Sequence, residues 1–247
     1  MKKITILILV LLMLTGCNAQ QVVVSETTVP ATEATVTETT VAQTTAPETV
    51  PTEPETVPTE PTLPPEPETD DAFVRVLDYI PAATQELKYA TEDNFTGQVI
   101  YDFQDAYLRW GTVKKLKQVS EDLEQLGLYL KIWDGFRPVS AQFALWEVCP
   151  NPTYVANPTT GYSSHSRGNT IDLTLVDANG VEVEMPTGFD DFSPLADRNY
   201  GDCTESAANN AQLLEILMEK YGFTGYYGEW WHFSDTISYP VERVFEP

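Results

Sequence analysis

The chain has 247 residues and a formal net charge of −23, from 37 acidic and 14 basic residues. Most of this negative charge falls outside the first seventy residues, which argues against a nucleic-acid-binding protein because the phosphate backbone requires a basic surface. The first seventy residues also differ in composition from the rest. The globular part is therefore smaller than the full length suggests.

The N-terminus has the pattern of an exported lipoprotein. Lys2 and Lys3 precede a mainly apolar stretch from Ile4 to Leu14, which is too short to span a bilayer as a helix but is typical of a signal peptide. The small residues before Cys17 resemble a bacterial lipobox, at which the signal peptide is cleaved and the new N-terminal cysteine is lipidated. We predict a lipoprotein signal peptide over residues 1–17 and lipidation of Cys17; a plain signal peptide with an incidental cysteine is the alternative.

The next segment, residues 18–71, is composed mainly of Thr, Pro, Glu, Val and Ala and has no lysine, arginine, glycine or aromatic residue. Such a segment buries too little apolar surface to offset the entropy of ordering it, so it is predicted to be a disordered linker. Its prolines and glutamates favour an extended chain. The remaining residues, 72–247, are enough for one domain with a sizeable core.

The hydrophobic pattern of this domain predicts three helices. The first extends from Leu108 to Leu126, where apolar residues recur at mostly helical spacing and Gly127 follows as a natural stop. The others are a short helix over 140–147 and a longer one over 205–221, which ends at Gly222.

Three strands are predicted between and after these helices. Residues 128–133 alternate and lead into a turn at Asp134, and residues 230–234 form the last strand. Between them, residues 170–175 alternate as a half-buried strand whose polar side carries Asp172. The elements do not alternate regularly, which favours an α+β domain with a central, mainly antiparallel sheet flanked by helices.

The chain contains only two histidines, and each lies in a cluster of polar residues and glycines. His165 is followed by Gly168 and Asp172, and His232 is preceded by Gly228 and Glu229. Two imidazoles and a carboxylate make three protein ligands, the number that a catalytic zinc site uses while a fourth position stays open. We therefore predict one zinc ion per chain and a hydrolase.

The spacing of these residues constrains the geometry. His165 and Asp172 are seven apart and would face opposite sides of an unbroken strand. We expect His165 in a loop before the strand, with a bend at Gly168, and His232 in a neighbouring strand. Glu229 then lies at the turn before that strand, where it accepts the proton of a water molecule.

Further residues carry less specific signals. Arg137, in a tight turn after the first strand, either pairs locally with Asp134 at the surface or faces the metal and stabilises an oxyanion. Trp230 and Trp231 are interpreted as core or pocket wall. Cys149 and Cys203 either form a disulfide, as is common in exported proteins, or remain free.

Taken together, these motifs resemble the zinc D-Ala-D-Ala metallopeptidases, whose fold is shared with the hedgehog N-terminal domain. The resemblance rests on the spacing from Ser163 to Asp172 and on Glu229 and His232, and it covers essentially residues 72–247. Three further stretches, residues 93–97, 134–138 and 228–232, resemble the dipeptidase branch in particular.

The resemblance implies roles for individual residues. His165, Asp172 and His232 would bind zinc, Glu229 would be the catalytic base and Arg137 would stabilise the transition state. Ser163 and Asp190 match positions that hold the substrate's ammonium group; around Asp190 the segment departs from the family pattern by Pro186 and Thr187, so Asp191 is an alternative. The site implied by the resemblance therefore comprises Ser163, His165, Asp172, Asp190, Glu229, His232 and Arg137.

The resemblance and Cys17 together imply a D-Ala-D-Ala dipeptidase anchored to the membrane and acting outside it, on free dipeptide or peptides derived from peptidoglycan. A D,D-carboxypeptidase that trims peptidoglycan stems is the alternative, although carboxypeptidase relatives usually have a proline after the glutamate, where this chain has Trp230. A non-catalytic wall-binding lipoprotein is a further alternative, which the intact Glu229 disfavours.

Overall fold

The computed structural model of the protein describes residues 63–247. The predicted signal peptide, Cys17 and most of the predicted linker lie outside these residues. No helix in the described part is long and apolar enough to cross a membrane.

The described residues contain seven strands, in chain order β1 Phe73–Arg75, β2 Thr84–Gln85, β3 Tyr107–Arg109, β4 Leu128–Asp134, β5 Thr170–Asp177, β6 Phe223–Tyr226 and β7 Glu229–Asp235. Five of them form a central sheet in the order β2-β4-β5-β7-β6. Within this sheet only the β2–β4 pair is parallel. The other two, β1 and β3, form a separate antiparallel pair.

Between residues 63 and 247, three α-helices accompany the sheet, namely α1 Trp110–Glu124, α2 Val139–Val148 and α3 Glu205–Lys220. Helix α1 packs against β4 and α3 packs against β6, and the two helices contact each other. The apolar stripe of α1, including Val113, Leu116 and Val119, is completely buried. The Thr204 hydroxyl caps α3 by accepting a hydrogen bond from the backbone N–H of Ala207. The described residues therefore form an α+β fold with a mainly antiparallel sheet, as predicted.

Most predicted elements are confirmed, but the first helix is shorter than expected. It begins at Trp110, because Leu108 lies in β3 and pairs with β1. Leu126 lies beyond its end and is exposed, and Gly127 follows with a left-handed φ of 71°. Leu108 of the strand and Leu126 of the loop happen to lie at helical spacing from the residues of α1, so the predicted helix was too long at both ends.

The prediction that β5 is half-buried is wrong. All residues of β5 except the last are buried, including Thr170, Asp172 and Thr174 on its polar side. The Thr170 hydroxyl lies 2.8 Å from that of Ser234 in β7, and Asp172 lies between two histidine rings. Segments that are distant in sequence cover this face of the strand.

Candidate metal centre

The central strands of the sheet bring three polar residues side by side. In the antiparallel register, Asp172 of β5 lies opposite both Asp134 of β4 and His232 of β7. The β4–β5 register shifts just before Asp134, between Ile132 and Asp134. Bulges of this kind re-aim side chains next to functional sites. His232 therefore comes from the strand next to Asp172, as its sequence context predicted.

His165 reaches the same place from a short 3-10 helix, Ser164–Arg167, that precedes β5. The Ser163 hydroxyl accepts a hydrogen bond from the backbone N–H of His165. Gly168 follows with a left-handed φ of 74° and donates its N–H to the His165 carbonyl. This conformation favours glycine and turns the chain sharply into the strand. The predicted bend at Gly168 is present.

The hydrogen bond made by one ring nitrogen of His165 determines the protonation of the other nitrogen, which faces the site. Nδ1 lies 2.8 Å from the carbonyl oxygen of Gly135, which only accepts hydrogen bonds, so Nδ1 carries the proton. Nε2 of the neutral ring then presents its lone pair to His232 and Asp172. A second partner that fixes the tautomer in this way is characteristic of metal-binding histidines.

Three ligand atoms converge. His165 Nε2 lies 3.3 Å from both Asp172 Oδ2 and His232 Nδ1, and His232 Nδ1 lies 2.9 Å from Asp172 Oδ1. A tetrahedral zinc ion with bonds of about 2.0–2.1 Å holds its ligands about 3.3 Å apart. The buried Asp172 Oδ1 makes no hydrogen bond within residues 63–247, because its short contact with His232 lacks the alignment of one. The donor set thus fits a divalent metal ion.

The charges around Asp172 favour its ionised form. Burial alone would raise the pKa of this carboxyl, but His165 and His232, when they are protonated, outweigh burial and hold the pKa below its ordinary value. An ionised carboxylate is the form that binds a metal ion.

Glu229 stands beside these three residues. It is the first residue of β7, and its Oε2 lies 3.5 Å from His232 Nδ1. Burial raises the pKa of Glu229 above its ordinary value, and the nearby Asp172 acts in the same direction. The side chain lines the same cavity as the three potential ligands.

Arg137 also lines this cavity, and Asp134 holds it there. Its Nε and Nη2 donate to Asp134 Oδ2 at 3.0 and 2.6 Å, and its Nη1 donates to Gln142 Oε1 at 3.0 Å. Two of its five N–H groups remain for other partners. Of the two interpretations offered for Arg137, the local pair forms, yet the turn is buried and not at the surface. The Tyr101 hydroxyl fixes Asp134 from the other side, at 2.7 Å.

The cavity has a volume of about 230 Å³, and Ser163 and Asp190 form part of its wall. Asp190 adopts a left-handed φ of 55° and accepts a hydrogen bond from the Tyr89 hydroxyl at 2.8 Å. Burial raises the pKa of Asp190 to about 8. Asp191 instead accepts a hydrogen bond from the backbone of Ser193 and is not part of the wall. Of the two aspartates, Asp190 is the one that faces the site.

Sequence reasoning missed several residues around the cavity. Tyr89 was not singled out, although it lies just before one of the motifs that carried the resemblance, and Gln142 has no local signal at all.

Trp230 and Trp231 are completely buried in the core. Cys149 and Cys203 are both free thiols, so the disulfide alternative is not realised.

Two family descriptions match the chain. "D-ala-D-ala dipeptidase" matches residues 69–245, and "Prokaryotic membrane lipoprotein lipid attachment site" matches residues 1–18. The D-alanyl-D-alanine dipeptidase of Escherichia coli (strain K12) is 40% identical over 158 residues, which are 63% of this chain and 81% of that protein. The dipeptidase of Enterococcus faecalis (strain ATCC 700802 / V583) is 35% identical, over 59% of this chain and 82% of that protein.

A more distant likeness is to a solved structure of the vancomycin resistance D,D-pentapeptidase VanY in complex with Zn(II). The TM-score is 0.36 at 15% identity, over 53% of this chain and 74% of that one.

Proposed function

Because this chain belongs to the D-Ala-D-Ala dipeptidase family of peptidases, we propose that it hydrolyses the D-alanyl-D-alanine bond with one zinc ion, outside the cell membrane. The observation that carries this proposal is the convergence of His165, Asp172 and His232 within 3.3 Å, with Glu229 on the wall of the same cavity. In this proposal the two histidines and Asp172 hold the metal. A zinc ion there supplies Lewis acidity, which polarises a carbonyl group and lowers the pKa of water.

Glu229 acts as the general base. Its carboxylate accepts a proton from the attacking water while the water oxygen bonds to the carbonyl carbon of the substrate. Glu229 then returns that proton to the amide nitrogen as the carbon–nitrogen bond breaks. The products are two molecules of D-alanine, and Glu229 is again ionised.

Arg137 stabilises the negative charge that develops on the substrate oxygen. Its guanidinium is fixed by Asp134 and Gln142, so little reorganisation is needed when the charge appears. Two free N–H groups and a position on the cavity wall suit this role.

Ser163 and Asp190 bind the free ammonium group of the substrate. Both line the cavity, and an ammonium ion offsets the cost of ionising the buried Asp190 carboxyl. A cavity of about 230 Å³ suits a ligand as small as a dipeptide. Because the corresponding nitrogen of a peptidoglycan stem is acylated and uncharged, recognition of an ammonium group favours the free dipeptide over a long stem.

The matched lipid attachment site supports a position outside the membrane. In this proposal residues 1–16 are removed, Cys17 becomes the N-terminus and is lipidated, and residues 18–71 tether the enzymatic domain, residues 72–247, at a distance from the membrane. The enzyme then cleaves D-Ala-D-Ala dipeptide or related peptidoglycan fragments in the wall.

Hydrolysis assays on the detergent-solubilised full chain test the proposal. We expect D-alanine release from D-Ala-D-Ala at a kcat/KM far above that for a pentapeptide stem, and loss of this activity when zinc is chelated. Cleavage of the stem alone would instead identify a D,D-carboxypeptidase. Binding of muropeptides without cleavage of either substrate would identify a wall-binding lipoprotein.

A further inference from the structure

Glu229 and His232 pose a geometric problem. They are three residues apart on β7, so in a regular strand their side chains would point to opposite faces. Both nevertheless line one cavity, with Oε2 and Nδ1 3.5 Å apart. The regular alternation of side chains along β7 must therefore be interrupted between Glu229 and His232.

The interruption is a large bulge in β7. Glu229 pairs with Tyr226 of β6, whereas Phe233 pairs with Gly225, the adjacent residue of β6. Three residues of β7, 230–232, therefore have no counterpart in β6. A bulge of this size leaves backbone carbonyls without the partners that a regular ladder would supply.

The side chain of Arg198 supplies partners for these carbonyls. Its Nη2 lies 3.2, 3.1 and 3.0 Å from the carbonyl oxygens of Glu229, Trp230 and His232, and its Nε donates to that of Tyr226 at 2.9 Å. One guanidinium thus forms hydrogen bonds with backbone carbonyl groups on both sides of the bulge. A planar fork of donors can do this, whereas the ammonium group of a lysine, as a compact point charge, cannot reproduce it.

Arg198 is itself held firmly. Its side chain is only 7% exposed and forms an ion pair with Glu215 at 3.4 Å. Its guanidinium carbon lies 4.4 Å from the centre of the Phe233 ring. The backbone N–H of Arg198 donates to the carbonyl of Tyr227 at 2.9 Å. The guanidinium is therefore preorganised against the bulge.

Gly225 leaves the space that the guanidinium occupies. A Cβ atom at this position would lie 2.3 Å from the guanidinium carbon of Arg198 and 2.4 Å from its Nη2. The backbone of Gly225 is not in the left-handed region, so a methyl group there would act by displacing Arg198 and not by straining the chain.

We propose that Arg198 is a positioning residue, whose guanidinium holds the bulge of β7 in the form that aims both Glu229 and His232 at the metal centre. Arg198 does not touch the cavity itself. This inference rests on the proposed function for its kinetic consequence, but its effect on the metal ligand His232 is independent of the substrate.

Two variants test the positioning role of Arg198 in different ways. Arg198→Lys keeps the charge but loses the fork of donors, and Gly225→Ala keeps Arg198 but removes its space. The matched controls are Arg75→Lys and Gly201→Ala. The guanidinium of Arg75 pairs with Asp78 and Asp105, and neither partner lies in β7 or on the cavity wall. At Gly201 an added Cβ makes only an ordinary contact.

Three readouts separate positioning from a general loss of stability. We expect Arg198→Lys and Gly225→Ala to lower zinc affinity by about 10- to 100-fold in a competition with a chromogenic chelator. At saturating zinc and well below Tm, kcat should fall by a similar factor while KM changes little. The chain has only two histidines, so a sample without a histidine tag gives two sets of imidazole signals in long-range ¹H–¹⁵N spectra. In the zinc-free variants the signals of His232 should move most, and those of His165, which lies 3.3 Å from it, should move less.

The outcomes are distinguishable. If both variants keep wild-type zinc affinity, kcat and His232 signals, as the controls should, and only lower Tm, Arg198 is merely structural and the proposal is wrong. If Arg198→Lys does not fold, Gly225→Ala decides by the same readouts. If the wild-type chain does not cleave D-Ala-D-Ala, the proposed function fails, while zinc affinity and the His232 signals still decide the role of Arg198.

Discussion

The two segments that supply the potential metal ligands reach the site by different means. In residues 163–172 the backbone around His165 is shaped by contacts within the segment, namely the Ser163 hydroxyl on the backbone N–H of His165 and the left-handed turn at Gly168, while Gly135 fixes the ring. Residues 228–232 have no such local support. Their bulge is satisfied by Arg198, about thirty residues earlier in the chain.

This difference separates two ways of encoding a site. In the first segment, the residue types that form the turn are the ones that carry the chemistry, so a short motif specifies both. In the second, the motif specifies the chemistry, but a distant side chain supplies the backbone geometry. Substitutions in the two segments should therefore impair the site in different ways.

The largest effect is expected from removing a ligand in either segment. His165→Ala or His232→Ala leaves two protein ligands, too few for a tight zinc site. Zinc content measured by mass spectrometry should fall well below one ion per chain, and dipeptide hydrolysis should fall to background.

Thr174→Val is the matched control for these variants. Thr174 lies two residues after Asp172 on the same face of β5, and its buried hydroxyl makes no hydrogen bond within the described residues. Replacing it by a methyl group should leave zinc content unchanged and Tm unchanged or higher. Full zinc content in either histidine variant would contradict the assigned ligand set.

The next effect separates chemistry from metal binding within the second segment. Glu229→Gln keeps the shape of the side chain but cannot accept a proton, so kcat should fall by about 10²- to 10⁴-fold. Zinc content should stay at one ion per chain, because Glu229 is not a ligand in the proposed set. A wild-type rate would refute its role as base, and lost zinc would make Glu229 a ligand instead.

A smaller effect is expected at the turn of the first segment. Gly168→Ala forces a side chain into a left-handed conformation and places its Cβ 2.4 Å from the Phe73 ring. Gly127→Ala is the matched control, because Gly127 has a similar φ of 71° with nothing within 4 Å of an added Cβ. The control should cost about 1–2 kcal/mol of unfolding free energy, and Gly168→Ala should cost more.

Denaturant unfolding of the two variants measures the difference, which reports the clash with Phe73. Zinc affinity should fall only in Gly168→Ala, because only that turn positions His165. Equal losses of stability and an unchanged zinc affinity would show that the turn is not essential for holding the ligand.

The same contrast explains what the sequence could predict. Helices α2 and α3 and strands β4 and β7 follow from local patterns and are confirmed. The full burial of β5 was missed because the segments that cover Asp172 and Thr170 come from elsewhere in the chain. The scarcity of histidines led directly to the residues that the structure places around one cavity.

The residues that sequence reasoning missed act on distant partners. Arg198 binds backbone carbonyls, which every residue has, so nothing in the sequence marks its partners. Tyr89 reaches Asp190 about a hundred positions away through a single hydroxyl. Such contacts depend on the tertiary fold, and no periodicity or motif encodes them.

The smallest effect is expected from replacing Asp190, which lies in a third segment of the site. Like Gly168 it has a left-handed backbone, but it carries a side chain that the proposed function needs. Burial raises its pKa to about 8 in the folded protein, against an ordinary value of 3.8. Tyr89 and Arg137 act to lower this pKa, while the negative charges of Asp172 and Glu229 raise it further.

The sign of the pH dependence follows from these values. Between pH 4 and 8 the unfolded chain releases a proton that the folded protein keeps, so the stability of the fold decreases as the pH rises through this range. Asp190→Asn removes the ionisation and tolerates the left-handed backbone. We expect its Tm to match wild type near pH 4 and to exceed it by a few degrees at pH 8, while KM for D-Ala-D-Ala rises. A Tm difference that does not grow with pH would show that Asp190 is not a buried, strained carboxyl kept for binding the substrate's ammonium group.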